Sequence, residues 1–167
     1  MRLARTLAAL AAALAIQTTL TSYVQEAAAL DFVLVTVVSL ALTSGPTTGV
    51  LAGSAAGLVQ DALSSGVIGI GALAKTVVGF AAGRIGTQFI VTAPLPRFVV
   101  FVVATLVHAA LFMGLYVLLG VRTFPSPYVA VGGQAVGNAV VGVIGFQLTE
   151  WLPVFLARRR LRRPTRR

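Results

Sequence analysis

The sequence predicts an all-α, polytopic integral membrane protein, a compact bundle of six transmembrane helices with both termini cytoplasmic. Three observations predict it. Hydrophobic residues make up 57% of the 167 and charged residues only 10%, a balance that no soluble domain of this size can carry at its surface. Apolar runs near the length of about 20 residues that a spanning helix requires recur along the chain, separated by short connections. The basic residues fall almost wholly on one side of the path these runs trace.

The six segments are 3–22, 27–43, 46–63, 67–91, 98–120 and 129–156. The first is a Leu/Ala run behind Arg2 and Arg5, with Ala4, Ala8 and Ala12 on one row and Ala11 and Ala15 on another. It also fits a secretory signal ending in the small residues Ala27-Ala28-Ala29. That reading leaves five helices and an outside amino terminus, and the charge bias favours six. The second and third segments join through Ser44-Gly45-Pro46, a turn with proline at the first helical position. The third carries Gly45, Gly49, Gly53, Gly57 and Asp61 at steps of four residues. Lipid tails are as apolar as leucine, so membrane helices associate by close packing and hydrogen bonding, and such a row clears a groove for a second backbone.

Gly66, Gly69 and Gly71 precede and open the fourth segment, which holds Lys75, Gly79 and Gly83. Pro94 and Pro96 punctuate the way to the fifth, which holds His108, and Pro125 and Pro127 the way to the sixth. The sixth carries Gly133 and Gly137, Gln134 and Asn138, and Glu150 near its end, where Arg84 or Arg97 is the expected counter-ion. Residues 1–157 form the membrane domain, and 158–167 a basic, disordered cytoplasmic tail.

With both termini inside, the inner flanks hold Arg2, Arg5, Arg84, Arg97 and the tail arginines, while the outer connections hold only Arg122. Tyr23 and Tyr128 then mark the outer boundary and Trp151 the inner one. The net charge of +9 is thus a membrane flank and not a nucleic-acid surface. The tail attracts anionic lipid, with recruitment of an acidic cytoplasmic partner as the other reading.

The candidate polar residues are few. Asp61 closes the third helix and Lys75 sits about two turns into the fourth, so the ammonium reaches outward toward the carboxylate. The pair reads as a structural clamp between two helices or as an ion or ligand site, and the remaining alternative is that the two make no contact. His108 and Asn138 either line a polar interior or hydrogen-bond across helix interfaces, at on the order of 1 kcal/mol each. No metal site is expected from one His, no Cys and four acids, and no cofactor is expected either. Ser54 and His108 are the only pair to consider for serine catalysis, and Ser54 lacks the Gly-x-Ser-x-Gly setting. Catalysis is not expected.

The order of Asp31 in Leu-Asp-Phe-Val-Leu-Val, a short hairpin, Gly49-Val-Leu-Ala-Gly53-Ser-Ala-Ala-Gly57-Leu-Val-Gln-Asp61, a Gly66 loop and Gly69-Ile-Gly71-Ala-Leu resembles the rod shape-determining protein MreD family. Leu30 stands where that family often has proline. The resemblance implies a non-enzymatic scaffold of the bacterial cell-elongation machinery in the cytoplasmic membrane, supporting lateral peptidoglycan synthesis and cell shape. It implies as partners the bitopic protein MreC, the actin-like MreB, and the enzymes of peptidoglycan assembly. Docking of a partner helix in the small-residue groove is the expected mechanism. The alternative is a substrate-binding S-component of an energy-coupling-factor vitamin transporter, to which the architecture and the Ala8-xxx-Ala12 and Ala11-xxx-Ala15 faces are similar.

Overall fold

The computed structural model describes residues 2–23, 30–64, 66–89, 91 and 93–161. These form six helices, α1 (Arg2–Tyr23), α2 (Phe32–Ser44), α3 (Pro46–Leu63), α4 (Ile70–Gln88), α5 (Pro94–Leu118) and α6 (Tyr128–Leu161), and among the described residues there are no strands. Ala27–Ala29, placed in the second segment by the sequence, and the tail from 162 lie outside the described residues.

Local chemistry explains where the helices start. Asp31 caps α2, its carboxylate accepting from the Leu34 N–H at 2.8 Å, which satisfies one of the first-turn donors that no helical carbonyl reaches. Gly45 holds φ +89° in the turn between α2 and α3, and Pro46 opens α3 behind it. Gly69, at φ +105°, delays α4 to Ile70. Pro94 and Pro96, expected in a connection, sit instead in the first turn of α5, where a missing N–H costs nothing because those donors have no helical partner. α6 continues through Arg158–Arg160 to Leu161, four residues into the stretch assigned to the tail.

α2 is the axis of the assembly. It packs against all five other helices, which follow one another around it in the order α1, α3, α4, α5, α6. On one side Leu34, Val35, Val38 and Ala41 meet Val78, Ala82, Phe101, Ala104 and Ala139. On the other Val33 and Val37 meet Leu10, Ala52 and Ala56. The ring is open between α1 and α6, which do not touch among the described residues.

The exposed surface is rich in large apolar side chains, and charged and polar groups lie in the interior. Leu118 is 80% exposed and Val129 88%, and Leu51, Leu63, Phe80 and Leu148 also face outward, while Asp31, Asp61, Lys75, Arg97, His108 and Asn138 are buried. That inversion suits lipid as the solvent. Two helices, Pro94–Leu118 and Tyr128–Trp151, are long and apolar enough to cross a membrane. The glycines and hydroxyl residues that let α3 and α4 pack closely also lower their hydropathy.

The glycine row of α3 is filled by α4. A methyl group added to Gly49 or Gly79 would strike the carbonyl of the other. One on Gly53 would stand 2.5 Å from the Lys75 carbonyl oxygen and 2.9 Å from the Thr76 Cα, and one on Gly57 would run into Ala72. Gly83 leaves no more room, since its added carbon would lie 2.5 Å from the Pro46 nitrogen. The groove expected to receive a foreign helix is therefore occupied within the chain. Antiparallel α3 and α4 present complementary small faces at short range, and loop closure costs far less entropy than recruiting another protein. Gly133 faces open space, and Gly137 meets only the Leu30 side chain.

Candidate functional site

At the end of the bundle where α2 and α4 begin, a buried polar network runs through five helices. Asp31 lies at its centre because its position ahead of α2 places the carboxylate at the axis of the ring. One oxygen caps α2, and the other accepts from the Lys75 ammonium at 2.9 Å. Lys75 sits on the face of α4 that looks across α2 to α5, and its Nζ lies 3.2 Å from His108 Nε2. Asn138 of α6 accepts from the Asp31 backbone N–H through Oδ1 at 2.9 Å, while its Nδ2 donates to Thr105 Oγ1 at 3.3 Å. Thr105 in turn donates to the Phe101 carbonyl at 2.9 Å. Gln17 of α1 completes the ring by bridging the chain ahead of α2, donating to the Leu30 carbonyl at 3.0 Å and accepting from the Phe32 N–H at 2.8 Å.

Lys75 therefore pairs with Asp31 and not with Asp61. Asp61 is held by backbone, its Oδ2 accepting from the Gly69 N–H at 2.9 Å and the Ala72 N–H at 3.1 Å. The carboxylate thus caps α4 across the hairpin, where the positive end of the helix dipole favours it. Lys75 lies more than a turn deeper, level with Asp31. Gly71 is required beneath the carboxylate, because a side chain there would collide with Asp61. Replacing Asp61 by alanine orphans one buried and one partly buried N–H group, at about 1–3 kcal/mol for a fully buried one. The expected loss of about 2–4 kcal/mol, read as reduced thermal stability in detergent, should be smaller for Asp61→Asn, which keeps one acceptor oxygen.

At the opposite end Glu150 is paired with Arg97 rather than Arg84. Arg97 also donates from Nε to the Val91 carbonyl at 3.0 Å and lies 4.5 Å above the Phe146 ring. This joins α5 to α6. Tyr128 and Trp151, exposed at the two ends of the α6 span, are placed as aromatic anchors would be. The Tyr23 side chain lies outside the described residues. Tyr116 supplies a contact that spacing did not suggest, its hydroxyl accepting from the Val67 N–H at 2.9 Å and pinning the loop before α4 to the end of α5. Thr105 and Gln17 also went unnoticed in the sequence, though a polar residue inside an apolar run is signal enough to flag both. Among the described residues no group of His, Cys, Asp and Glu is arranged to hold a metal.

The network can hold helices in register and can hold a proton or a small polar molecule. Ser54 lies outside it, half-buried and donating to its own helix at the Leu51 carbonyl. The open side of the ring bares a second feature, a stripe on α2 formed by Phe32, Thr36, Ser39 and Thr43. Their spacing keeps them on one helical face. The hydroxyls of Thr36, Ser39 and Thr43 bond to the carbonyls of Phe32, Val35 and Ser39 at 2.8, 2.8 and 3.0 Å, so the stripe offers small, internally satisfied side chains.

A family model described as rod shape-determining protein MreD matches residues 3–154. No curated protein and no solved structure matches the chain.

Proposed function

From the chain's membership of the rod shape-determining protein MreD family we propose that it is a non-enzymatic scaffold of the cell-elongation machinery, with six membrane-spanning helices and cytoplasmic termini. In this reading it docks the single transmembrane helix of an MreC-like partner and so supports lateral peptidoglycan synthesis from the cytoplasmic membrane. The end of the bundle holding Asp31, Asp61 and Lys75 then faces outward, and the Arg97–Glu150 end faces the cytoplasm. α2, with 13 residues, is about 20 Å long at 1.5 Å per residue, short of the roughly 30 Å hydrocarbon core. Its place at the axis supports spanning all the same, because neighbouring helices screen its ends from lipid.

The observation that carries the docking mechanism is the gap in the ring. Helices pack at about 8–10 Å between axes, so roughly six neighbours fit around one of equal width. α2 has five. The vacant place is bounded by α1 and α6 and floored by Thr36, Ser39 and Thr43, small residues of the kind that let a second backbone approach closely in lipid. The partner helix fits here, and not in the α3 groove already taken by α4.

Filling the gap tests this. Thr36→Leu combined with Ser39→Leu is expected to lower co-purification of the MreC-like partner at least tenfold, with insertion and thermal stability little changed, because both side chains lie only half-buried in the chain by itself. Leu73→Phe, on the exposed face of α4, should leave capture intact. Undiminished capture by the double variant would remove the gap as the docking place.

A further inference from the structure

Among the described residues each polar side-chain atom of this network meets at least one partner, with one exception. Asp31 uses both carboxylate oxygens, Asn138 both ends of its amide, and Thr105 both its hydrogen and a lone pair. His108 is 7% exposed, and its Nδ1 is buried with no hydrogen-bond partner among the described residues. Most buried polar atoms are paired, and in an apolar setting an unmade hydrogen bond forfeits the whole cost of removing the group from water.

The chemistry of the neighbours fixes what Nδ1 offers. An ammonium can only donate, so His108 Nε2, facing Lys75 Nζ, is the bare, accepting nitrogen of a neutral ring. The single ring proton is then on Nδ1, which is left as a donor. Protonating Nε2 instead would set two donors and two positive charges against each other. Phe112 stacks on the imidazole with centroids 5.9 Å apart, fixing the ring plane and thereby the direction of the Nδ1–H bond. Asp31 already balances the charge of Lys75, so the vacant valence calls for a neutral acceptor.

We propose that the bundle encloses a site for one small neutral molecule that presents an oxygen acceptor to His108 Nδ1–H, either a water molecule or the hydroxyl or carbonyl oxygen of a small organic compound. The site goes beyond the docking reading and stands whether or not the gap on α2 receives a partner. It places a bound molecule one imidazole ring away from the ion pair that joins α2 to α4, linked to it through His108, so occupancy reports on, and supports, the register of those two helices.

His108 is the sole histidine of the chain, which makes the test direct. The full-length protein, labelled with nitrogen-15 only at histidine and placed in lipid nanodiscs, should show one imidazole with Nδ1 at the shift of a protonated nitrogen and Nε2 at that of a bare one. The Nδ1 proton should show a through-space cross-peak to something other than protein. A cross-peak at the water frequency, with no added mass on the intact protein by native mass spectrometry, identifies water. A cross-peak to carbon-bound protons together with a discrete added mass identifies an organic compound. The ring proton on Nε2, or an Nδ1–H whose only neighbours are protein groups, overturns the site. Capture of the MreC-like partner from the same preparation is read separately, so failure of the docking mechanism does not mimic either result.

Discussion

Gly53→Leu is expected to abolish the folded bundle. The substituted side chain would begin at 2.5 Å from the Lys75 carbonyl oxygen and 2.7 Å from its carbon, both backbone atoms of α4 that cannot rotate aside. Relief requires α3 and α4 to separate, which undoes the contacts of Gly49 with Gly79 and of Gly57 with Ala72 on the same ridge. The cost should reach or exceed the top of the ~1–3 kcal/mol usual for overpacking, because the steric conflict is with main chain rather than with side chains. Thermal unfolding in detergent and protease resistance in membranes measure it. Gly133→Leu, at an open position on α6, should change stability by no more than about 0.5 kcal/mol. A Gly53→Leu protein that melts with the wild type would show that α3 and α4 do not pack backbone to backbone. The comparison also guards against misreading lost partner capture in this variant as a blocked docking face.

Lys75→Met should be nearly as damaging, for an electrostatic reason. It leaves the Asp31 carboxylate buried with its helix-cap hydrogen bond but without its counter-ion, and it leaves His108 Nε2 without its donor. Removing one member of a buried pair typically costs about 3–5 kcal/mol, mostly through the charge left behind. Adding Asp31→Asn to the same chain removes that charge while retaining an oxygen able to cap α2, so the double variant should recover a large part of the loss. A double-mutant cycle on thermal stability reads the coupling directly. Additive effects would mean that the two residues do not meet in the membrane. Asp61→Asn serves as the reference, since Asp61 bonds to backbone and should show no coupling to Lys75.

Much of the arrangement could be read from spacing. Glycines at 49, 53 and 57 had to lie on one ridge of a helix, and only a close backbone explains such a row in an apolar segment. The row could not say whose backbone fills it, because a neighbouring helix of the same chain and a partner helix meet the same steric requirement. Asp31 ahead of an apolar run is a helix cap by its chemistry, and α2 begins there. Lys75 had two acids within plausible reach. Distance along the chain favoured Asp61, but the free N–H groups at the start of α4 claim that carboxylate, and the depth of Lys75 matches Asp31 instead. Pro94 and Pro96 read as breaks in the chain by residue type, although the first turn of a helix accepts proline as readily as a loop does.

Composition and periodicity by themselves determined that this is a helical protein built for lipid, where its helices run, which ridges lack side chains and which few residues carry charge. These properties are local, set by hydropathy over a turn or two and by the backbone demands of Gly, Pro and Asp. Only the tertiary structure decided that α2 is the axis, that α4 fills the α3 groove, that Asp31 joins Lys75 and His108, and that among the described residues α1 and α6 do not close the ring. Those outcomes depend on the order of helices around the axis and on their relative depth and rotation, quantities to which every residue contributes a little and no motif contributes decisively.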